Sequence, residues 1–212
     1  MTHFTWREPT IPRIPVEQRR ERLVAAAFRV VAADGVEAAT TRRICAEAGM
    51  SLASFHYAFE SRDALLEALV VAGLTSEDTA IHAVLTDVPA DGGDIESLLR
   101  GGLRGYIDSV VADPSREHAL IALSQYARQT PGLEGFAADV YRRYYELAAT
   151  ALTAAAEASG ARWRTAPQTL APLVVAATDG LTLAYLNTGD LDVVHRIAEA
   201  CVAMLLTHLE AA

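Results

Sequence analysis

Between Thr40 and Leu66 the chain reads TTRRICAEAGMSLASFHYAFESRDALL, and no other stretch limits the possible folds as strongly. Thr40 or Thr41 can cap a short helix, TRRICAEA, which Gly49 ends. Ser51 can cap a second, SLASFHYAF, and Ser61 a third, with Asp63 near its positive end. Upstream, Leu23, Ala27, Val30 and Val31 recur at helical spacing in a segment that starts at Val16 and stops at Gly35. Starts and stops this close together allow only short helices meeting at sharp angles. A helix, a tight glycine turn and a second short helix form the helix-turn-helix pattern.

Helical geometry divides residues 51–59 into two sides. Phe55, Ala58 and Phe59 fall on one and can pack under the preceding helix beside Ile44 and Ala48. Leu52, Ala53, His56 and Tyr57 fall on the other. They are poor core material but suit a helix pushed into a major groove, with the Tyr57 hydroxyl reaching a phosphate. This outward side has no Arg, Lys, Asn or Gln, the side chains that make bidentate contacts to guanine or adenine. Base choice would then come from thymine-methyl contacts by Leu52 and Ala53, from His56, from Arg42 or Arg43, or from DNA shape. His56 or an arginine is expected to supply the main polar base contact.

The rest of the chain follows a single pattern. Residues 1–15 contain Pro9, Pro12 and Pro15 and are expected to form a flexible tail. A linking helix is expected from Asp63 to about Thr86. Alanine- and leucine-rich helices then follow near 94–112, 114–129, 133–159, 167–187 and 190–210, with breaks at Asp113-Pro114, Thr130-Pro131-Gly132, Gly160 and Asn187-Thr188-Gly189. The predicted fold is all-α, with about nine helices. A three-helix DNA-binding unit over 16–62, continuing into the linking helix, is followed by a larger helical bundle over 87–212.

Charge divides along the same line. Residues 1–62 hold nine arginines and seven acids, a balance of +2, against −11 for residues 63–212. Only the amino-terminal piece suits a polyanion. Cys45 and Cys201 fit no metal or redox spacing, and the amino terminus lacks the apolar core of a secretory signal, so a soluble, cytoplasmic protein is expected. The apolar run 170–186 carries Asp179 at its centre and is read as a buried helix, with no membrane partner.

The run TTRRICAEAGMSLASFHYAFESRDALLEAL resembles the DNA-binding segment of tetracycline-repressor (TetR) type regulators, through Thr41, Ile44, Ala48, Gly49, Ser51, Phe59, Ser61 and Leu65–Leu66. The chain departs from that pattern at Cys45, at Leu52 and Ala53, at Phe55 and His56, and at Arg62, which stands where the family has lysine. The resemblance implies a homodimer on double-stranded operator DNA, released by a small-molecule effector, with repression the usual mode. It implies DNA contacts by Thr41, Arg42, Arg43, Ser51, Leu52, Ala53, His56, Tyr57 and Arg62. Arg62 would keep the lysine's phosphate contact, and Arg19 or Arg20 could add another.

The family resemblance also implies a dimer interface and a ligand pocket in the helical body. The segment 167–187 is apolar nearly all round, with Leu170, Val174, Ala177 and Leu181 on one side and Leu173, Ala176 and Leu183 on another. Val194, Ile197, Cys201, Met204 and Leu205 form a stripe on the last helix. Leu170, Val174, Ala177 and Leu181 together with that stripe are expected to build a four-helix dimer interface. Pocket candidates are Tyr106, Tyr126, Phe136 and Tyr144, with Tyr141 and Trp163 also considered, because aromatics with polar tips often line cavities. Asp179 joins them: it fits a cationic or hydroxylated ligand, or a hydrogen bond across the dimer, with a structural role favoured. The alternative is an all-helical enzyme, or a redox or metal sensor, on the same fold. No catalytic or metal-ligand spacing supports it, Glu-x-x-His is absent, and no cofactor is expected.

Overall fold

The computed structural model describes residues 15–72, 93–131 and 134–210, the side chains of Glu134, Phe136 and Ala137 excepted. Helix α1, Val16–Asp34, ends at Gly35, which takes φ 81°. Helix α2, Thr41–Ala48, starts where the Thr40 hydroxyl accepts the Arg43 N–H and stops at Gly49, in the left-handed region at φ 64°. There the Gly49 amide reaches the Ala46 carbonyl at 3.2 Å and the Met50 amide the Cys45 carbonyl at 2.8 Å. Three residues later the chain is helical again. Ser51 caps α3, Leu52–Ala58, by accepting the Ser54 N–H. The Ser61 hydroxyl accepts the Ala64 N–H at 3.0 Å at the start of α4, residues 62–72. The expected continuation of α4 to about 86, like the tail over 1–14, lies outside the described residues.

The body consists of α5 (Ile95–Ala112), α6 (Pro114–Gln129), α7 (Glu134–Ser159), α8 (Pro167–Thr188) and α9 (Leu191–Leu206). Asp94, Asp113 and Asp190 cap α5, α6 and α9 through their carboxylates, and Pro114 and Pro167 open α6 and α8. Among the described residues no strand forms apart from one isolated antiparallel bridge, Trp163 with Leu209. That bridge explains why α9 stops short of the expected residue 210. Beyond Thr207 the backbone pairs with the α7–α8 loop, the Arg164 amide donating to the His208 carbonyl at 2.8 Å and the Glu210 amide to the Arg162 carbonyl at 2.9 Å. The fold is all-α.

Two large cores hold these helices, with a small third cluster of Ala148, Ala149, Ala171 and Val175 between α7 and α8. The first gathers Leu23, Val30, Ile44, Phe55, Phe59, Leu65 and Leu69 from the amino-terminal helices, and takes in Ala119 and Leu123 from α6 and Val140 from α7. The packing of the amino-terminal unit thus runs past residue 62 through α4 and onto the body. The second core joins α5, α7, α8 and α9 through Leu103, Ile107, Leu152, Leu170, Leu181, Val194, Val202 and Leu205.

This second core corrects the expected dimer interface. Leu170, Leu181, Val194, Cys201 and Leu205 are buried inside their own chain, and Val174, Ala177, Ile197 and Met204 are partly buried against the same cluster. The apolar stripe of α9 faces its own bundle because one covered side is enough to bury it. Nor is α8 covered all round. It is long and apolar enough to cross a membrane by length and composition, but only one side is packed. The opposite side exposes Pro172, Leu173, Ala176, Gly180 and Leu183, with Leu173 and Leu183 46% and 47% accessible.

Candidate nucleic-acid interface and ligand cavity

The seven residues of α3 divide as helical geometry requires. Phe55 is fully buried and Phe59 nearly so, their rings 5.9 Å apart, while Ala58 closes the same side. Ser51, Leu52, Ala53, His56 and Tyr57 are exposed, Leu52 to 41% and Tyr57 to 66%. Thr41 opens α2 nearby. Two large apolar side chains pointing out of a well-anchored helix are costly in water unless something covers them. The Arg29–Glu47 ion pair at 2.7 Å spans α1 and α2 on the surface of the unit.

The arginines do not all remain available. Arg42 is exposed and has no hydrogen bond or ion pair among the described residues. Arg43 makes an exposed ion pair with Asp34 at 3.2 Å, a contact weak enough for a phosphate to compete with. Arg19 lies over the Tyr57 ring, 5.8 Å from its centroid. Arg20 instead donates to the Ala58 carbonyl at 2.6 Å and stacks on Phe59 at 4.2 Å, pinning the end of α3.

Arg62 departs most from the expected phosphate contact. It donates to the Ala39 carbonyl at 2.9 Å, the Val36 carbonyl at 2.5 Å and the Tyr126 hydroxyl at 2.8 Å, with its guanidinium 5.3 Å from the Tyr126 ring centroid. A planar fork with five donors can bridge the α1–α2 loop and α6 at once, which a lysine in that place could not do. The same contact takes Tyr126 out of the pocket candidates.

In the body, α4 to α9 enclose a cavity of about 300 Å³. Its walls are mostly apolar, from Val70, Leu99, Leu103, Leu120, Val140, Leu147 and Val175 among others. Tyr106, Tyr141, Tyr144 and Asp179 line it; Trp163 does not, its indole N–H bonding the Leu152 carbonyl at 2.9 Å. Phe136 has no described side chain. The Tyr106 hydroxyl lies 2.9 Å from the buried Thr182 hydroxyl. The Tyr141 hydroxyl donates to Asp179 Oδ2 at 2.8 Å. Burial raises the Asp179 pKa, and burial together with that hydrogen bond pushes Tyr141 to about 12.

Glu117, which was not expected here, also lines the cavity. It is 5% accessible, paired with Arg116 at 3.2 Å, and its pKa is raised by burial. Its apolar neighbours one turn on, Leu120 and Ile121, were the signal available in the sequence. Neither cysteine has the character of a reactive thiol. Both are buried, and burial raises their pKa values; the Cys45 thiol faces the Ser51 carbonyl at 3.8 Å. Among the described residues no group of three or more His, Cys, Asp or Glu is placed to hold a metal.

Residues 23–69 match the family model described as bacterial regulatory proteins, tetR family. Over 174 residues, 82% of this chain and 86% of the relative, the sequence is 29% identical to the HTH-type nicotine-responsive transcriptional repressor HdnoR of Paenarthrobacter nicotinovorans. The fold is similar to that of a transcriptional regulator from Rhodococcus sp. Rha1, with TM-score 0.71 at 22% identity over 91% of this chain and 98% of that one. It is also similar to the multidrug binding protein EbrR complexed with imidazole, with TM-score 0.61 at 25% identity over 97% and 98% of the two chains. The tetR family model thus matches the helix-turn-helix segment, and the fold is similar to that of solved regulators along nine-tenths of the chain.

Proposed function

We propose that the chain is a ligand-responsive repressor that binds a near-palindromic operator as a homodimer in the cytoplasm and leaves it when a small molecule fills the cavity. The observation that carries this reading is the outward side of α3, with Leu52, Ala53, His56 and Tyr57 exposed beside the unpaired Arg42. In a major groove, Leu52 and Ala53 would meet thymine methyls and His56 a base edge, while Tyr57, Arg42, Arg43 and Thr41 would position the helix on phosphates. Two such units related by a two-fold axis would read half-sites about 34 Å apart, or a multiple of that. The uncovered side of α8 suits the two-fold contact, since Leu173, Ala176, Gly180 and Leu183 let a second copy approach closely.

Ligand control is supported by α6. One side of it lines the cavity through Leu120, Ile121, Ser124 and Gln125, and the next residue, Tyr126, holds Arg62 of the DNA-binding unit. A ligand that favours one placement of α6 would bias the spacing of the two heads and lower operator affinity by its differential affinity for the two states. A nicotine-responsive repressor among the relatives fits this reading, and no enzymatic step is assigned to the chain. The test is selection of bound fragments from the source genome with purified protein at moderate salt. An enriched palindrome whose retention weakens steeply as salt rises is expected. Recovery of no common sequence would refute the reading.

A further inference from the structure

Asp179 lies near the middle of a helix otherwise almost free of charge and faces a mostly apolar cavity. One of its oxygens, Oδ2, accepts from Tyr141. Its other oxygen has no hydrogen-bond partner among the described residues, and none of their arginines or histidines makes an ion pair with it. Glu117 in the same cavity is different, because Arg116 balances it at 3.2 Å. The cavity therefore holds one neutralised carboxylate and one that is not. A carboxylate withdrawn from water without a cation is costly, and a half-buried one beside bulky apolar walls is poorly served by a single phenol. The hydrogen bond to Tyr141 turns Asp179 towards α7.

The surroundings select among ligands. Tyr141 and Tyr144 line the cavity beside Asp179, with centroids 5.9 Å apart and planes at 75°. Aromatic rings attract cations through their quadrupole, most strongly where water is excluded. An anion would meet the unbalanced carboxylate of Asp179. A neutral hydroxyl or amide could bond the free oxygen but would leave the charge unbalanced. Resting on the reading of this cavity as the effector site, we propose that its ligand is a small organic cation, an amine or quaternary ammonium with an apolar body, whose positive group sits against Asp179 beside Tyr141 and Tyr144.

The test uses the full chain and three probes: benzyltrimethylammonium, its uncharged isostere neopentylbenzene, and benzoate. Binding is measured by calorimetry on the wild type and on Asp179→Asn. The variant keeps an acceptor for Tyr141 and removes a carboxylate that burial disfavours, so its melting temperature should not fall. The cation is expected to bind the wild type roughly tenfold to a hundredfold more tightly than the isostere, and to lose that advantage in Asp179→Asn. Benzoate should bind least. An equal affinity for cation and isostere, an advantage that survives in the variant, or no binding by any probe would each overturn the proposal. Operator release is measured in parallel. A cation that binds through Asp179 yet leaves operator affinity unchanged would support the proposal and refute ligand control. Release by benzoate or the isostere alone would do the reverse.

Discussion

Arg62 illustrates how a single side chain can change role while keeping its charge. In place of a lysine aimed at a phosphate, the chain has a guanidinium that ties together the carbonyls of Val36 and Ala39 and the Tyr126 hydroxyl. Arg62→Ala is expected to destabilise the protein by about 2 kcal/mol, because three hydrogen bonds to one charged group are lost together. Arg62→Lys should recover only part of this, since an ammonium cannot reproduce the fork. Thermal unfolding of the three proteins checks it; an unchanged melting temperature with weakened binding to all DNA would restore the phosphate role. The sequence marked Arg62 as a charge at a helix start. It could not place Tyr126, 64 residues further on, beside it. The three caps were legible because each acts within four residues: Thr40 on Arg43, Ser51 on Ser54 and Ser61 on Ala64.

At the scale of elements, the contrast is between α3 and α8. A seven-residue helix has one inward side, and two phenylalanines four apart mark it, so the exposed residues of α3 could be read from spacing alone. In α8 both sides are apolar, and periodicity cannot say which one its own bundle takes. The bundle takes the side of Leu170 and Leu181, and leaves that of Leu173 and Leu183 uncovered. If the proposed dimer forms there, Leu173→Arg is expected to turn it into a folded monomer, read by sedimentation velocity with helical content unchanged. Leu181→Arg, at a fully buried position, should cost several kcal/mol and unfold the chain instead. A Leu173→Arg protein that stays dimeric would move the interface elsewhere.

At the scale of the whole molecule, the two cores are joined by the helices that also border the cavity. Val70 of α4 lines the cavity and belongs to the amino-terminal core, and α6 borders the cavity and holds Arg62 through Tyr126. The order and approximate limits of the helices could be read from caps and breaks. Neither the joining of the two cores nor the charge balance of the cavity could be, because both depend on contacts between helices distant in sequence. The central claim, that the outward side of α3 reads an operator while the body holds two copies in register, is tested most directly by a hydroxyl-radical footprint on the selected operator. The account predicts two protected segments related by a two-fold axis and spaced by about one helical turn of DNA or a multiple. It also predicts that both disappear together in a folded Leu52→Asp, Tyr57→Ala variant. Protection without two-fold symmetry, or a footprint that survives those substitutions, would contradict it.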